Sequence, residues 1–547
     1  MIALSLATAL AQTWPADATI DDALRLQMTP QGLSAAADIA QEIVPNDPID
    51  IPLIQGGTLG AGFPGCLVDY GYRVSNGWVE AEVLTASIVP TNGTLNLSAQ
   101  IEVTVNTSSD AMILDLGAAC VEGDCDAYVD PFVVTVTAPI TLSVVNGNVT
   151  ANIGTIPQPT DNLTGSDVHI TNCTAASIVN AIDSVYPVYD ILVDYARDEA
   201  YALIPDFVDD FEVQINDALT VARFSDQIDL LGTTLYVDFA PDSISTTPSG
   251  VDIQIAGSVY ADQNPCIAEY DVGGSRMSSG PAPGVNTLPS ATHVGARVSA
   301  DIVDQGLYAI WRGGLLCQNL EGGELGGFTL DTNLLSLVGG ESYGELYPDT
   351  KPLTIRTAPA NPPITVASAS HDLAVQVEEL GIDFYAELDG RQAHALGMNV
   401  SPEVGLDVTF SNVFGTLEVD IALPESYNAT LRGDPMVPDA EEVIVNVENI
   451  VGTLAETAIT GALGSSLSFE LPTYDSPSGP NFGLRDLEIT GTSGGWTTAE
   501  AAVGTVTYNN AQGCDQGCQG SAGCDTPGLS FSWGAGLFVL IGLRRRR

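Results

Sequence analysis

Positive charge is what this chain of 547 residues most lacks. Sixteen basic residues stand against 69 acidic ones, the only lysine is Lys351, and four of the fifteen arginines are the terminal Arg544 to Arg547. A formal net charge of −53 repels polyanions, with a screening length of roughly 8 Å at physiological ionic strength, so nucleic acid is excluded as a partner. Histidine is nearly as scarce: His169, His293, His371 and His394 are scattered, and none falls in an HExxH or nucleophile-elbow pattern. No catalytic residue and no cofactor are therefore expected. Aromatics make up only 7% of the chain, yet 45% of it is apolar and 55 residues are glycine. That balance fits a strand-rich globular protein rather than a disordered one.

The length exceeds one ordinary core and suggests two domains of roughly 200 to 250 residues. The nine cysteines match no zinc spacing with the four histidines, which favours disulfides in an oxidising compartment. Cys120 with Cys125 is the nearest local pair. Cys266 with Cys317 would staple the start of the second half, and Cys66 with Cys173 is a candidate in the first, but spacing alone does not fix connectivity. Asp115, Asp124, Asp126 and Asp130 surround the Cys120–Cys125 loop without the spacing of an EF-hand, so a solvated acidic loop is the reading and no metal site is expected.

Both ends carry targeting signatures. Residues 1–11 form an apolar run ending in Ala9-Leu10-Ala11, a short signal peptide without a basic n-region. At the other end a Gly/Cys-rich linker (511–525) holds Cys524, and an uncharged stretch within 526–547 runs to four arginines. Its 18 residues from Thr526 to Leu543 would reach about 27 Å as a helix, just short of a bilayer core of roughly 30 Å.

Between them the body reads as two halves, 20–260 and 296–510, with a Pro/Gly/Ser-rich linker at 261–295. Thr29-Pro30 is an N-cap followed by a first-turn proline, and Leu33, Ala36, Ala40 and Ile43 follow at helical spacing. Turns at Asn76-Gly77, Asn92-Gly93 and Asn146-Gly147 separate alternating strands, of which Leu95 to Val105 is the strictest. A helical region from about Ala175 to Phe224 follows, interrupted at Pro187 and Pro205, and strands Thr234 to Phe239 and Val251 to Tyr260 close the half. In the second half Asp304-Gln305-Gly306-Leu307 matches Pro30-Gln31-Gly32-Leu33 at an offset of 274. Strands, a helix opening at Asp439 and final strands to Tyr508 repeat the plan, indicating an internal duplication.

Those stretches, with Pro352-Leu353-Thr354-Ile355, Pro362-Pro363-Ile364-Thr365-Val366 and Phe469-Glu470-Leu471-Pro472, resemble the family of bactericidal/permeability-increasing protein and lipopolysaccharide-binding protein, within the tubular lipid-binding superfamily. The resemblance spans about 20 to 510. It implies an α+β fold of two pseudo-symmetric barrels, each a curved antiparallel sheet wrapped on a long helix, joined by a central sheet into a boomerang. It also implies an apolar pocket in each barrel for a phospholipid or other acyl lipid. Leu192, Phe207, Phe211 and Ile215 in the first half and Val447, Ile450 and Leu454 in the second are the candidate pocket-lining residues. The C-terminal pattern resembles the MYXO-CTERM sorting tails of myxobacterial surface proteins, which implies a sorting protease as partner, Cys524 as the processing or lipidation site, and anchorage at the cell surface or outer membrane.

Two features depart from the family. Residues 1–260 hold only Arg25, Arg73, Arg197 and Arg223, too few for a cationic tip. The family's disulfide between a strand and the long helix also has no clear equivalent, because Cys173 precedes the helix. The expected function is a non-catalytic surface lipid-binding or lipid-transfer protein. A structural or adhesive β-rich surface protein without a lipid is the alternative, and two long helices in corresponding places argue against it.

Overall fold

The computed structural model describes residues 13–41, 49–51, 54–60, 69–118, 121–172, 188–219, 223–230, 233–270, 273–325, 328–366, 368, 370–412, 415–422, 429–432, 436, 466–470, 481–492 and 494–507; some side chains inside these elements fall outside the description too. The described residues are mostly strand, with five α-helices: α1 (Pro30–Gln41), α2 (Val188–Leu219), α3 (Ala300–Arg312), α4 (Thr332–Gly339) and α5 (Ser342–Leu346). None is long and apolar enough to cross a membrane. The helix expected from Asp439, the tail and Cys524 lie outside the described residues.

The two halves meet in one seven-stranded sheet. Its order is Phe224–Leu230, Thr233–Thr247, Gly250–Ala261, Ile20–Met28, Val294–Ser299, Trp496–Val506 and Asn481–Thr492. The strands read in the sequence as closing each half are therefore the outer parts of a shared central sheet. At its middle Ile20–Met28 pairs antiparallel with Val294–Ser299, from Met28 opposite Val294 to Leu24 opposite Val298. One face carries Leu26, Met28, Val251, Ile253, Ile255 and Ala296, all buried in the central core. Paired residues share a face and alternate along each strand, so Arg25, Gln27, Asp252, Arg297 and Thr498 fall on the opposite face. There Arg25 makes bonds of 2.9 and 3.0 Å to Asp22 and one of 3.0 Å to Asp252. The segment read as a linker lies over this polar face: Gln27 donates to the Pro283 carbonyl, and Arg297 donates to the Thr287 hydroxyl at 2.6 Å. Burial lowers the pKa of Arg297, against the pull of Asp252 and Glu500.

Each of the two middle strands feeds a helix. Thr29 Oγ1 accepts from the Gly32 N–H at 3.2 Å and caps α1, and Pro30 occupies the first turn, where its missing N–H costs nothing. Ser299 Oγ likewise accepts from the Ile302 N–H at 3.3 Å and caps α3. The caps Thr29 and Ser299 are 270 positions apart, so the Gln-Gly-Leu match at 274 sits one helical turn out of phase with them. The glycines in that match do different jobs. A Cβ on Gly32 would lie 2.2 Å from the His293 carbonyl oxygen, whereas one on Gly306 meets nothing within 4 Å. Gly32→Ala is expected to cost about 1–3 kcal/mol by forcing α1 off the strand entry at His293. Gly306→Ala is expected to be neutral or stabilising by up to about 1 kcal/mol, since alanine favours an open helical position. Urea denaturation of the two variants checks the contrast.

The rest of the match is structural. Gln305 is fully buried; its Oε1 accepts from the Val259 N–H at 3.0 Å and its Nε2 donates to the Ala18 carbonyl at 2.7 Å. Both bonds lie just past the last pair of Ile20–Met28 with Gly250–Ala261, Ile20 opposite Gly257. Asp304 accepts from the Thr365 N–H and hydroxyl at 2.7 and 2.8 Å and from the Ser278 hydroxyl at 3.1 Å.

In the first half a ten-stranded sheet curls into a half-barrel. Its path runs Ile49–Ile51, Gly77–Pro90, Leu95–Val105, Val121–Val145, Met112–Ala118, Asp69–Ser75 and Ile54–Gly60; Asn148–Ile153, Thr160–Asp161 and Val168–Thr171 also pair with Val121–Val145. Among the described residues the second half carries two five-stranded sheets. One runs Asn319–Glu321, Leu353–Pro359, Leu380–Leu388, Arg391–Val400 and Ala429–Leu431; the other Ile364–Val366, Leu373–Gln376, Glu403–Ser411, Thr416–Ala422 and Ser466–Glu470. Helices α4 and α5 lie between Asn319–Glu321 and Leu353–Pro359, and the buried Tyr343 of α5 donates to the Ala395 carbonyl at 2.5 Å. Cys266 and Cys317 form a disulfide with Cα atoms 6.6 Å apart. Cys125 is disulfide-bonded to a partner outside the described residues, where Cys66, Cys120 and Cys173 also lie.

Candidate functional site

The concave side of the half-barrel is apolar because its strands alternate. Along Leu95–Val105 every second residue from Leu95 to Val105 is buried. The long strand Val121–Val145 buries Cys125, Ala127 and Val129, then changes phase to bury Phe132, Val134, Val136, Ala138 and Ile140. Phase and register both shift between Val129 and Phe132, at Asp130-Pro131. A bulge at this proline bends the strand while keeping both of its parts facing inward, which lets a strand of 25 residues follow the curl.

Helix α2 closes the concavity. Val193, Ala196, Ala200, Ile204 and Val208 recur at three- and four-residue spacing and are buried against the sheet in the distal core. The two alanines make the middle of this inner face small. Pro205 sits within the helix instead of interrupting it, as the sequence reading had expected; it is exposed, so the carbonyl left without a partner can be hydrated. Leu192, Phe207, Phe211 and Ile215 fall on α2, but their side chains lie outside the described residues, as do Val447, Ile450 and Leu454 entirely.

Polar side chains fasten α2 to the sheet along one flank. Asn148–Ile153 pairs with the long strand on one side only, and its outward groups meet the helix: the Ala151 N–H donates to Asn216 Oδ1 at 2.7 Å, the Asn216 amide returns a bond to the Ala151 carbonyl at 3.0 Å, and the Ile153 N–H donates to Glu212 at 2.9 Å. Further along the same flank Asp161 accepts from Arg197 Nε and Nη2 at 2.7 and 3.2 Å, from the Tyr201 hydroxyl at 2.5 Å and from the Leu163 N–H at 3.0 Å. Burial pushes the Asp161 carboxyl up, but these hydrogen bonds and the Arg197 charge outweigh it and hold the group below the ordinary carboxylate range. Burial and the same carboxylate push the Tyr201 hydroxyl up to about 12. No sequence signal marks these five residues as a set, because the bonds that join the helix to the strand flank span 34 to 65 positions.

The four histidines all have partners within the fold. His169 bonds Asp130 and stacks on Tyr128, His293 meets the Val503 backbone, His371 bonds Asp407, and His394 bonds Asp383, which also pairs with Arg432. Among the described residues no group of three or more His, Cys, Asp or Glu is placed to hold a metal ion. Of the four first-half arginines, Arg25 and Arg197 are spent on internal ion pairs.

No family model and no curated protein sequence matches the chain. Among solved structures, the crystal structure of lipopolysaccharide binding protein matches over 89% of this chain and 100% of its own length, with a TM-score of 0.54 at 14% identity. P47 of Clostridium botulinum E1 aligns over 88% and 99% with a TM-score of 0.25 at 8% identity, and P47 of Clostridium botulinum A2 over 88% and 96% with 0.27 at 10%. At 14% identity the first likeness is one of architecture, so the chain has a fold like that of lipopolysaccharide binding protein.

Proposed function

We propose that the chain is a non-catalytic lipid-binding or lipid-transfer protein that takes acyl chains between the curled sheet and α2, with a second pocket of the same kind in the second half. The observation that carries the reading is the apolar concave face closed by a helix whose inner face centres on Ala196 and Ala200. Each acyl CH₂ buried there would contribute roughly 0.8 kcal/mol, so no catalytic group and no charged anchor is required. The likeness in fold to a protein named for binding lipopolysaccharide supports the same reading. The ligand differs from lipopolysaccharide in headgroup. With two first-half arginines already paired and a net charge of −53, the chain suits a zwitterionic or neutral headgroup better than a phosphorylated polyanion. Cleavage after the signal peptide and lipidation at Cys524 would tether this body at the cell surface, and mass spectrometry of the mature C-terminus tests that; Arg547 still attached would sink it.

Uptake of fluorescent phosphatidylcholine from vesicles, read with native mass spectrometry of the full chain, tests the binding itself. Wild type is expected to load, and to load less from phosphatidylglycerol-rich vesicles at low salt. Ala200→Trp is expected to reduce first-half loading at least tenfold, because the indole would occupy the inner face of α2. A chain that takes up no lipid from either vesicle would favour a structural surface role.

A further inference from the structure

We propose that the flank between α2 and the interrupted edge strand, from Ala151 to Leu163, is the lateral opening through which a lipid enters and leaves the first-half interior. This rests on the lipid-binding reading. The boundaries of the interior are held shut in two different ways. Between neighbouring strands the boundary is a backbone ladder; Leu95–Val105 alone is paired to the long strand from Leu95 opposite Ile140 to Val105 opposite Val129. Parting such a ladder strands many N–H and C=O groups at once. Along α2 no ladder is possible, because a helix has already used its own backbone groups. The outward groups of Ala151 and Ile153 are met by the side chains of Asn216 and Glu212, and the next fastening is the cluster of Asp161 with Arg197 and Tyr201.

These fasteners differ from a ladder in a second way. Asp161 is 6% exposed, but Arg197 is 29% exposed and Glu212 and Asn216 are half-buried, so water can take over the bonds of these three as the flank parts. Opening also leaves the sheet intact, since Asn148–Ile153, Thr160–Asp161 and Val168–Thr171 all keep their pairing to the long strand. Bonds that water can replace, in a line beside an apolar interior, give a boundary that is shut at rest and cheap to open. Tyr201 is the fastener best placed to set the rate, because its hydroxyl ties Asp161 and the Pro159 carbonyl, at 2.9 Å, to the helix.

The test uses the full chain and phosphatidylcholine vesicles carrying a pyrene-labelled phosphatidylcholine, with stopped-flow loading and release. Tyr201→Phe and Asp161→Asn are expected to raise both rates at least fivefold with final occupancy unchanged. Tyr343→Phe, which removes a buried tyrosine bond far from this flank, is expected to leave the rates alone. Hydrogen exchange supplies a readout that needs no lipid: the amides of Ala151 and Ile153 are expected to exchange faster than ladder amides of the long strand, and faster still in Tyr201→Phe. Loading with unchanged rates in both variants, or flank amides protected as well as the ladder, overturns the opening while leaving lipid binding intact. A wild-type chain that loads no lipid, with flank amides exchanging as expected, overturns the lipid reading and leaves only a mobile flank.

Discussion

Trp311→Ala is expected to destabilise the protein by about 3–5 kcal/mol, the cost of removing a large buried aromatic from a site that cannot collapse. Trp311 lies near the end of α3, 1% exposed, with its ring 5.5 Å from that of Tyr308 and its core shared with Ile267. The surroundings are fixed from three directions. The Cys266–Cys317 disulfide closes one side, Thr233 and Asn264 hold the Gly313 carbonyl just beyond the helix, and the indole N–H donates to the Pro359 carbonyl at 3.0 Å. Truncation therefore leaves a cavity and an unsatisfied buried carbonyl together. Trp311→Phe keeps much of the volume but loses the bond, and about 1–3 kcal/mol is expected. Urea denaturation of the two variants under oxidising conditions separates the terms; a loss below about 1 kcal/mol for the alanine variant would show that the site relaxes. Because Pro359 ends a strand of a second-half sheet while Thr233 belongs to the first half, the alanine variant is also expected to loosen the contact between halves.

What the sequence disclosed follows the range of the interactions involved. The Thr29 cap, the turns at Asn146-Gly147 and the alternation of Leu95 to Val105 rest on neighbours within a few residues, and the structure has all three. Asn146 and Gly147 both take positive φ, 54° and 74°, as a tight hairpin turn requires. The fate of the strands at either end of each half was not legible, because whether Gly250–Ala261 closes a barrel or joins Ile20–Met28 is decided by pairing across 225 positions. A periodic pattern shows that a strand has an inner face; it does not show against what. The same limit explains the linker. Its Pro, Gly and Ser content marks irregular backbone correctly, yet the segment is pinned by Arg297, Gln27 and Asp301 of the central sheet and α3.

The candidate site divides in the same way. An apolar helix opposite apolar strands was visible from spacing alone, but the small inner face of α2 was passed over in favour of its larger side chains, since size reads as burial in a sequence. Ala196 and Ala200 are buried on that inner face, 1% and 4% exposed. The fasteners Asp161, Arg197, Tyr201, Glu212 and Asn216 carry no local pattern at all. The most conspicuous match between the halves was legible, but what its residues hold together was not: Gln305 bonds Val259 and Ala18, and Asp304 bonds Thr365 and Ser278.

That role makes Asp304 the place where the packing of α3 on Ile364–Val366 and on the segment at Ser278 responds to charge. Burial raises the Asp304 pKa despite the opposing bonds from Thr365 and Ser278, so the ionised form is less favourable in the folded chain than in the unfolded one. The sign follows from linkage: with the folded pKa above the unfolded one, the stability due to this group is full below the unfolded value, near 3.9, and is lost as pH rises through the folded value. Asp304→Asn removes the charge but keeps an acceptor for the Thr365 N–H and hydroxyl and offers an N–H to the Ser278 oxygen. It is expected to match wild type in acid and to equal or exceed it at neutral pH. Asp304→Ala removes the acceptor, leaves the half-buried Thr365 N–H without its carboxylate partner, and is expected to cost about 1–3 kcal/mol at neutral pH. Thermal unfolding of the three chains across pH 3 to 8 decides the matter. An asparagine variant as unstable as the alanine variant would mean that the negative charge itself holds Ile364–Val366 against α3; a gap that opens between them with no pH trend would leave the hydrogen bonds as the whole of the joint.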